Sequence, residues 1–320
     1  MKNLFNASVA KLTLALICIF ATMGGAWAEE NYPRRPVELV VPYGAGGGAD
    51  QLARMIGKML EADLKTSFPV LNIPGAVGNT GMTKLLAAPA DGYSVAVLIG
   101  DTIATVMTGG ARWKLADVTP LGIMIRQNSG FFVQQNSRFK TWNDVVTEAK
   151  ARPGAIKVAI LGFGSVDDMT VNYLADKGIK LVSVPYAAPG ERYTSILGGH
   201  VDLLFEQAGD IHSFLDSKQV RPLLFLSEDR AEGFADIPAS KEVGLEIYLP
   251  QYRAIVVKAG TDPKHVKLLA DAIAKAVKTP EYAAFLKESL ARKDSFIPAG
   301  EAQKFIAGEI ATMLKVSGKK

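Results

Sequence analysis

A short apolar strand that runs through a glycine-rich turn into a helix sets most of what this chain can become. Residues 37–60 read VELVVPYGAGGGADQLARMIGKML. Val37, Leu39, Val40 and Val41 form an apolar run suited to a buried strand, and Ala49, Leu52, Ala53, Ile56 and Leu60 recur at helical spacing just beyond it. Between them lies a turn from Tyr43 to Asp50, in which Gly44, Gly46, Gly47 and Gly48 leave backbone amides uncovered by side chains. The helix that follows adds its unpaired first-turn N–H groups and the positive end of its dipole. Such a turn binds anions, and the strand–turn–helix order places it at the carboxyl end of a strand, where α/β sheets hold their ligands.

The same order recurs along the chain. Residues 68–73 read as a second strand, followed by the loop Pro74–Gly81 (PGAVGNTG), with Thr80 placed to cap the next helix. A third strand over 94–99 leads to Asp101 and Thr102. Strands are expected over 121–125 and 131–134, joined by a polar turn over 126–130, and the crossing between two domains falls here. Thr141 with Asp144 caps a helix running to Lys150.

The second half restarts with a strand over 156–160, the turn Gly162-Phe163-Gly164-Ser165 and a helix over 166–175. Strands over 181–184, 201–205 and 221–226 follow, with a turn over 185–190 and a helix over 191–197 between the first two. The strand over 252–257 returns the chain to the first half. Helices are expected over 263–278, with Pro263 at the first helical position, and then over 281–292 and 300–316. Strands alternating with helices imply an α/β protein of two domains, each a mostly parallel sheet flanked by helices. The expected division is 29–127 with 251–320 for one domain and 128–250 for the other.

Residues 1–28 fall outside this pattern. Lys2 and Lys11, the apolar run from Leu12 to Met23 and Ala26-Trp27-Ala28 spell a secretory leader cut after Ala28, which points to export to the periplasm. The one cysteine, Cys18, lies in that leader, so the mature chain is expected to hold neither disulfides nor cysteine–metal sites. Without the leader, Lys+Arg falls from 36 to 34 against 32 acidic residues, a net charge of about +2. That balance offers no basic stripe for nucleic acid.

Catalytic and cofactor patterns fare poorly. Gly44-Ala45-Gly46-Gly47-Gly48-Ala49 satisfies G-x-G-x-x-A in form, yet the second strand, 70–73, carries Asn72 and no acid to hold a ribose. Gly162-Phe163-Gly164-Ser165 lacks the G-x-S-x-G order of a nucleophile elbow, and His200, His212 and His265 follow with no spacing that singles out a base. Metal-binding and P-loop motifs are missing, so no metal and no cofactor is expected. Asp101, Asp168, Glu206 and Asp210 fall near loop ends. Tyr43, Phe163 and Tyr186 stand near the same rim, where they would favour an aromatic dicarboxylate. Arg126, Arg192 and Arg253 read as surface arginines.

The chain resembles the solute-binding proteins of tripartite tricarboxylate transporters, the Bug or TctC family, from Tyr32 to about Met313. The marks are Tyr32-Pro33, Val41-Pro42 with Gly46-Gly47-Gly48 and Asp50, and Ala53-Arg54. Asn72 with Pro74-Gly75-Ala76, Gly78-Asn79 with Gly81, Asp91-Gly92-Tyr93, Val184-Pro185-Tyr186 and Gly198-Gly199 with Val201-Asp202 complete them. The resemblance implies a two-domain clamshell, the type II periplasmic binding fold, that grips a carboxylate and delivers it to a membrane permease as a monomer. It further implies that backbone amides and bridging waters hold the ligand at two loops, here Tyr43, Gly44, Ala45, Gly46, Gly47 and Asp50, then Gly78, Asn79 and Thr80. The opposite domain would contribute from Phe163, Gly164, Ser165 and Asp168, from Tyr186, Ala187 and Ala188, and from Glu206 and Asp210. A sensor of the same fold, or a secreted hydrolase using Ser165, are the alternatives.

Overall fold

The computed structural model describes residues 32–318, so the expected leader and Cys18 lie outside the described residues. All elements named here belong to one compact unit that starts at Arg35. The first sheet has six strands: β1 (Glu38–Val41), β2 (Val70–Asn72), β3 (Ser94–Ile99), β4 (Val118–Gln127), β10 (Gln251–Lys258) and β11 (Ile297–Pro298), in the order β11-β4-β10-β3-β1-β2. The second holds β5 (Ser129–Gln134), β6 (Lys157–Ile160), β7 (Val182–Pro185), β8 (Leu203–Gln207) and β9 (Val220–Phe225), in the order β7-β6-β8-β5-β9.

Both sheets are mixed. β1 pairs in parallel with β2 and β3, and β6 with β7 and β8, as the alternating order of strands and helices requires. Antiparallel pairs arise where the chain passes between sheets: β10 lies against β3 and β4, and β5 against β8 and β9. The expected polar turn over 126–130 is not a hairpin. β4 runs to Gln127 in one sheet and β5 begins at Ser129 in the other, so Asn128 alone separates them. The strands on either side of that turn lie in different sheets.

The helices are α1 (Gly48–Leu64), α2 (Asn79–Ala87), α3 (Gly100–Met107), α4 (Trp142–Ala151), α5 (Val166–Asp176), α6 (Pro189–Leu197), α7 (His212–Asp216), α8 (Pro263–Ala276), α9 (Pro280–Glu288) and α10 (Ala299–Val316). Leu52, Ala53, Ile56 and Leu60 are buried on one side of α1, as their spacing requires. The capping box at Thr141 and Asp144 opens α4. Thr80 does not cap α2: that helix starts at Asn79, its N-cap is Gly78, and Thr80 is exposed. β3 has five consecutive buried residues, which a strand covered on both faces demands.

α10 packs over the first sheet, with Phe305 edge-on to the buried Tyr252 ring at 5.3 Å. Glu309 on this helix has a buried oxygen, Oε2, without a hydrogen-bond partner among the described residues. Burial raises its carboxyl from 4.5 to about 7, against an opposing pull from Arg126. Between those values the folded chain keeps a proton that the unfolded chain has lost, so stability falls as pH rises, by at most about 3 kcal/mol. Glu309→Gln is expected to flatten this slope and to be more stable than the parent at pH 8 by about 1–3 kcal/mol. Urea unfolding of both proteins at pH 5 and pH 8 checks it, and identical slopes would reject it.

Candidate functional site

The two sheets present their loop ends to one another across a cleft. From the first sheet come Tyr43, Gly47 and Gly48 at the start of α1, Asp101 at the start of α3, and Gln251 and Arg253 on β10. From the second come Leu161 and Asp167, then Ala187, Pro189 and Arg192 around the start of α6, then Glu206, Gln207 and Asp210 beyond β8. The space between them is about 40 Å³, room for a few waters at most.

The glycine-rich turn owes three of its bare positions to this approach, Gly44 among them, where a Cβ would stand 2.8 Å from the Pro189 ring. A Cβ on Gly47 would stand 2.9 Å from the Pro189 ring of the opposite side, and a Cβ on Gly48 would run into both the Arg253 guanidinium and the Asp210 carboxylate. The missing side chains therefore let the second sheet's loops close down on the N-terminus of α1. Asp50, in the first turn of α1, ties the turn together from behind. It accepts hydrogen bonds from the Gly46 amide (3.0 Å), Arg54 Nε (3.0 Å) and Asn72 Nδ2 (3.0 Å). Burial works to raise its pKa, but these donors prevail and hold the carboxyl below its ordinary value.

Each side of the cleft lends a carboxylate to a helix start on the other. Asp101 Oδ1 accepts a hydrogen bond from the amide of Val166, the first residue of α5, at 2.9 Å, and Gln251 Nε2 donates to its other oxygen. In return Asp210 lies against Gly48 at the start of α1 and pairs with Arg253, whose Nη1 also donates to Gln127 Oε1 at 2.7 Å. Carboxylates at helix N-termini are favourably placed.

Six charged side chains line the cleft: Asp101, Asp167, Glu206 and Asp210 against Arg192 and Arg253. All six are buried, apart from the Asp210 backbone, whose side chain is buried in its ion pair. Arg192 donates from Nη2 to Glu206 Oε2 at 2.5 Å. Burial disfavours the Arg192 charge, but Glu206 outweighs it and raises its pKa. Burial raises the carboxyls of Asp101, Asp167 and Asp210, Asp167 well above its ordinary range with the Asp101 charge adding to the effect.

Of the residues expected at a ligand, the cleft gathers Tyr43, Gly47, Asp101, Ala187, Glu206 and Asp210. Gly44 stands close to Pro189 across the cleft, while Ala45 and Gly46 face outward. Gly78 and Thr102 lie behind Tyr43, whose hydroxyl hydrogen-bonds to Thr102 Oγ1. Asn79 is buried and fully engaged by Ala76, Thr105 and Trp113. Phe163 is 64% exposed, and Tyr186 packs beside the core of the second sheet with its carbonyl accepting from Arg192, so of the three aromatics only Tyr43 reaches the cleft. Ala188 is the N-cap of α6.

Asp168 accepts hydrogen bonds from the Gly164 amide and Ser183 Oγ. Its neighbour Asp167, one position along α5, is the residue that lines the cleft. Ser165 is fully buried, and its hydroxyl caps α5 by accepting from the Asp168 amide at 3.2 Å. That leaves no exposed nucleophile there for hydrolysis. The expectation of surface arginines is corrected at two positions: Arg192 is 7% and Arg253 3% exposed. Arg253 sits inside the apolar strand QYRAIVVK, which was a legible sign of burial; for Arg192 the sequence offered none.

Two sheet-centred α/β halves around a polar cleft define a two-domain binding-protein fold. The chain matches the model of the tripartite tricarboxylate transporter family receptor over residues 52–316 and belongs to that family, which consists of receptors and not enzymes. It is similar to the protein BugT of Bordetella pertussis, 28% identical over 267 residues, or 80% of this chain and 81% of BugT. Among solved structures, MatC of Rhodopseudomonas palustris with bound malate superposes with a TM-score of 0.82 at 22% identity, covering 89% of this chain and 100% of MatC. An R. palustris protein with adipate superposes with a TM-score of 0.81 at 23% identity, covering 90% of this chain and 98% of the other.

Proposed function

We propose that this protein is a periplasmic solute-binding receptor that captures an organic carboxylate between two domains, residues 29–127 with 251–320 and residues 128–250, and delivers it to a membrane permease of the tripartite tricarboxylate type. It acts as a monomer after removal of a leader at Ala28. The observation that carries this reading is the convergence on one cleft of the α1 N-terminus, bared by Gly47 and Gly48, and two buried arginines. Malate in MatC and adipate in the R. palustris protein support a carboxylate as the guest. Charge-assisted hydrogen bonds contribute roughly 1.5–3 kcal/mol each, so a few donors suffice for the roughly 8 kcal/mol of micromolar binding.

A thermal-shift screen over mono-, di- and tricarboxylates and their amino and hydroxy derivatives tests the reading. A true ligand at a hundred times its dissociation constant adds about 2.7 kcal/mol to stability and raises the melting temperature accordingly. A panel in which no carboxylate moves the melting temperature would overturn it.

A further inference from the structure

We infer that the ligand carries a cationic hydrogen-bond donor, an ammonium group, together with its carboxylate, and that Asp167 receives the ammonium while the α1 turn and the cleft arginines receive the carboxylate. This rests on the solute-binding reading and narrows it to aminocarboxylates.

The cleft carries more negative than positive side chains. Glu206 and Asp210 have Arg192 and Arg253 as partners, while Asp101 and Asp167 have none of opposite charge. Asp101 is satisfied by two donors, Val166 N and Gln251 Nε2. Asp167 is not: the Leu161 amide donates to its Oδ2 at 2.8 Å, and among the described residues nothing donates to its other oxygen. It is 4% exposed and lines the cavity. Burying such a carboxylate without a counter-charge is costly, and a donor bearing positive charge offsets that cost best. The raised pKa of Asp167 reports the same deficit of positive charge. On the opposite sign, Arg192 and Arg253 each keep a buried Nε–H without an acceptor among the described residues. A guest with both signs answers both wants; a plain dicarboxylate adds negative charge to a cleft that already has an excess.

The test is isothermal titration with two matched pairs, malate against aspartate and adipate against 2-aminoadipate. At least one amine member is expected to bind about tenfold or more tightly than its partner. Asp167→Asn, which keeps an acceptor for Leu161 but turns a donor toward the cavity, is expected to abolish that preference. Binding in which neither amine member is preferred over its plain counterpart would overturn this inference and leave the carboxylate receptor standing. Binding of none of the four would overturn this inference, while the broad carboxylate panel judges the receptor reading separately. The comparison on the native protein decides the matter even if the variant does not fold.

Discussion

Replacing Arg192 by methionine is expected to lower the unfolding free energy by about 3–5 kcal/mol at pH 7. The guanidinium is buried, holds Glu206 at 2.5 Å and is the cation whose field also reaches Asp101 and Asp167. Without it three buried acids face one another, and Glu206 is left as an uncompensated charge. The pH dependence follows from the sign of the shifts. Carboxyls whose pKa is raised in the folded state keep their protons at low pH, so the native state is favoured there and loses stability as pH rises through the raised values. The deficit of Arg192→Met should therefore shrink on acidification. Pairing it with Glu206→Leu removes the stranded charge and is expected to recover most of the loss, because apolar side chains of similar volume replace buried ion pairs at little cost. Urea unfolding of the two variants measures this. A single-variant loss below about 1 kcal/mol, or a double variant no better than the single, would contradict the account.

Placing a side chain at residue 48 should act chiefly on binding. The Cβ of Gly48→Ala would occupy the ground where Asp210 and Arg253 now meet, at the mouth of the α1 N-terminus. The buried Asp210–Arg253 pair must give way to the new Cβ, so some loss of melting temperature is expected beside the loss of affinity. Affinity for the tightest-binding carboxylate should fall about a hundredfold, or about 2.7 kcal/mol. Titration calorimetry beside a melting curve reads both quantities, and an affinity within about threefold of the parent would show that anions do not bind at this turn.

Local grammar made much of the architecture readable. The 38–41 strand with its glycine turn, the Thr141–Asp144 cap and Pro263 at a helix start are all set by neighbours in sequence, and they stand where their chemistry puts them. The order of strands within each sheet was not readable, because nothing local sets β10 between β3 and β4. Turning to the cleft, acids at loop ends were legible as a class, since Asp101, Glu206 and Asp210 follow strands or open helices. Their partners were not. Arg192 and Arg253 look like solvated arginines until the two halves are brought face to face, and which of Asp167 and Asp168 turns inward depends on the rotation of α5. Phe163 shows the converse: an aromatic beside a glycine turn that stays largely exposed.

The reciprocal seating of Asp101 and Asp210 has a kinetic corollary. Because an internal acid already rests on the α1 mouth, an incoming solute competes with a tethered rival present at high effective concentration. If the proposed solute binds at that mouth, its capture is expected to be slower than simple encounter, because Asp210 must first step aside.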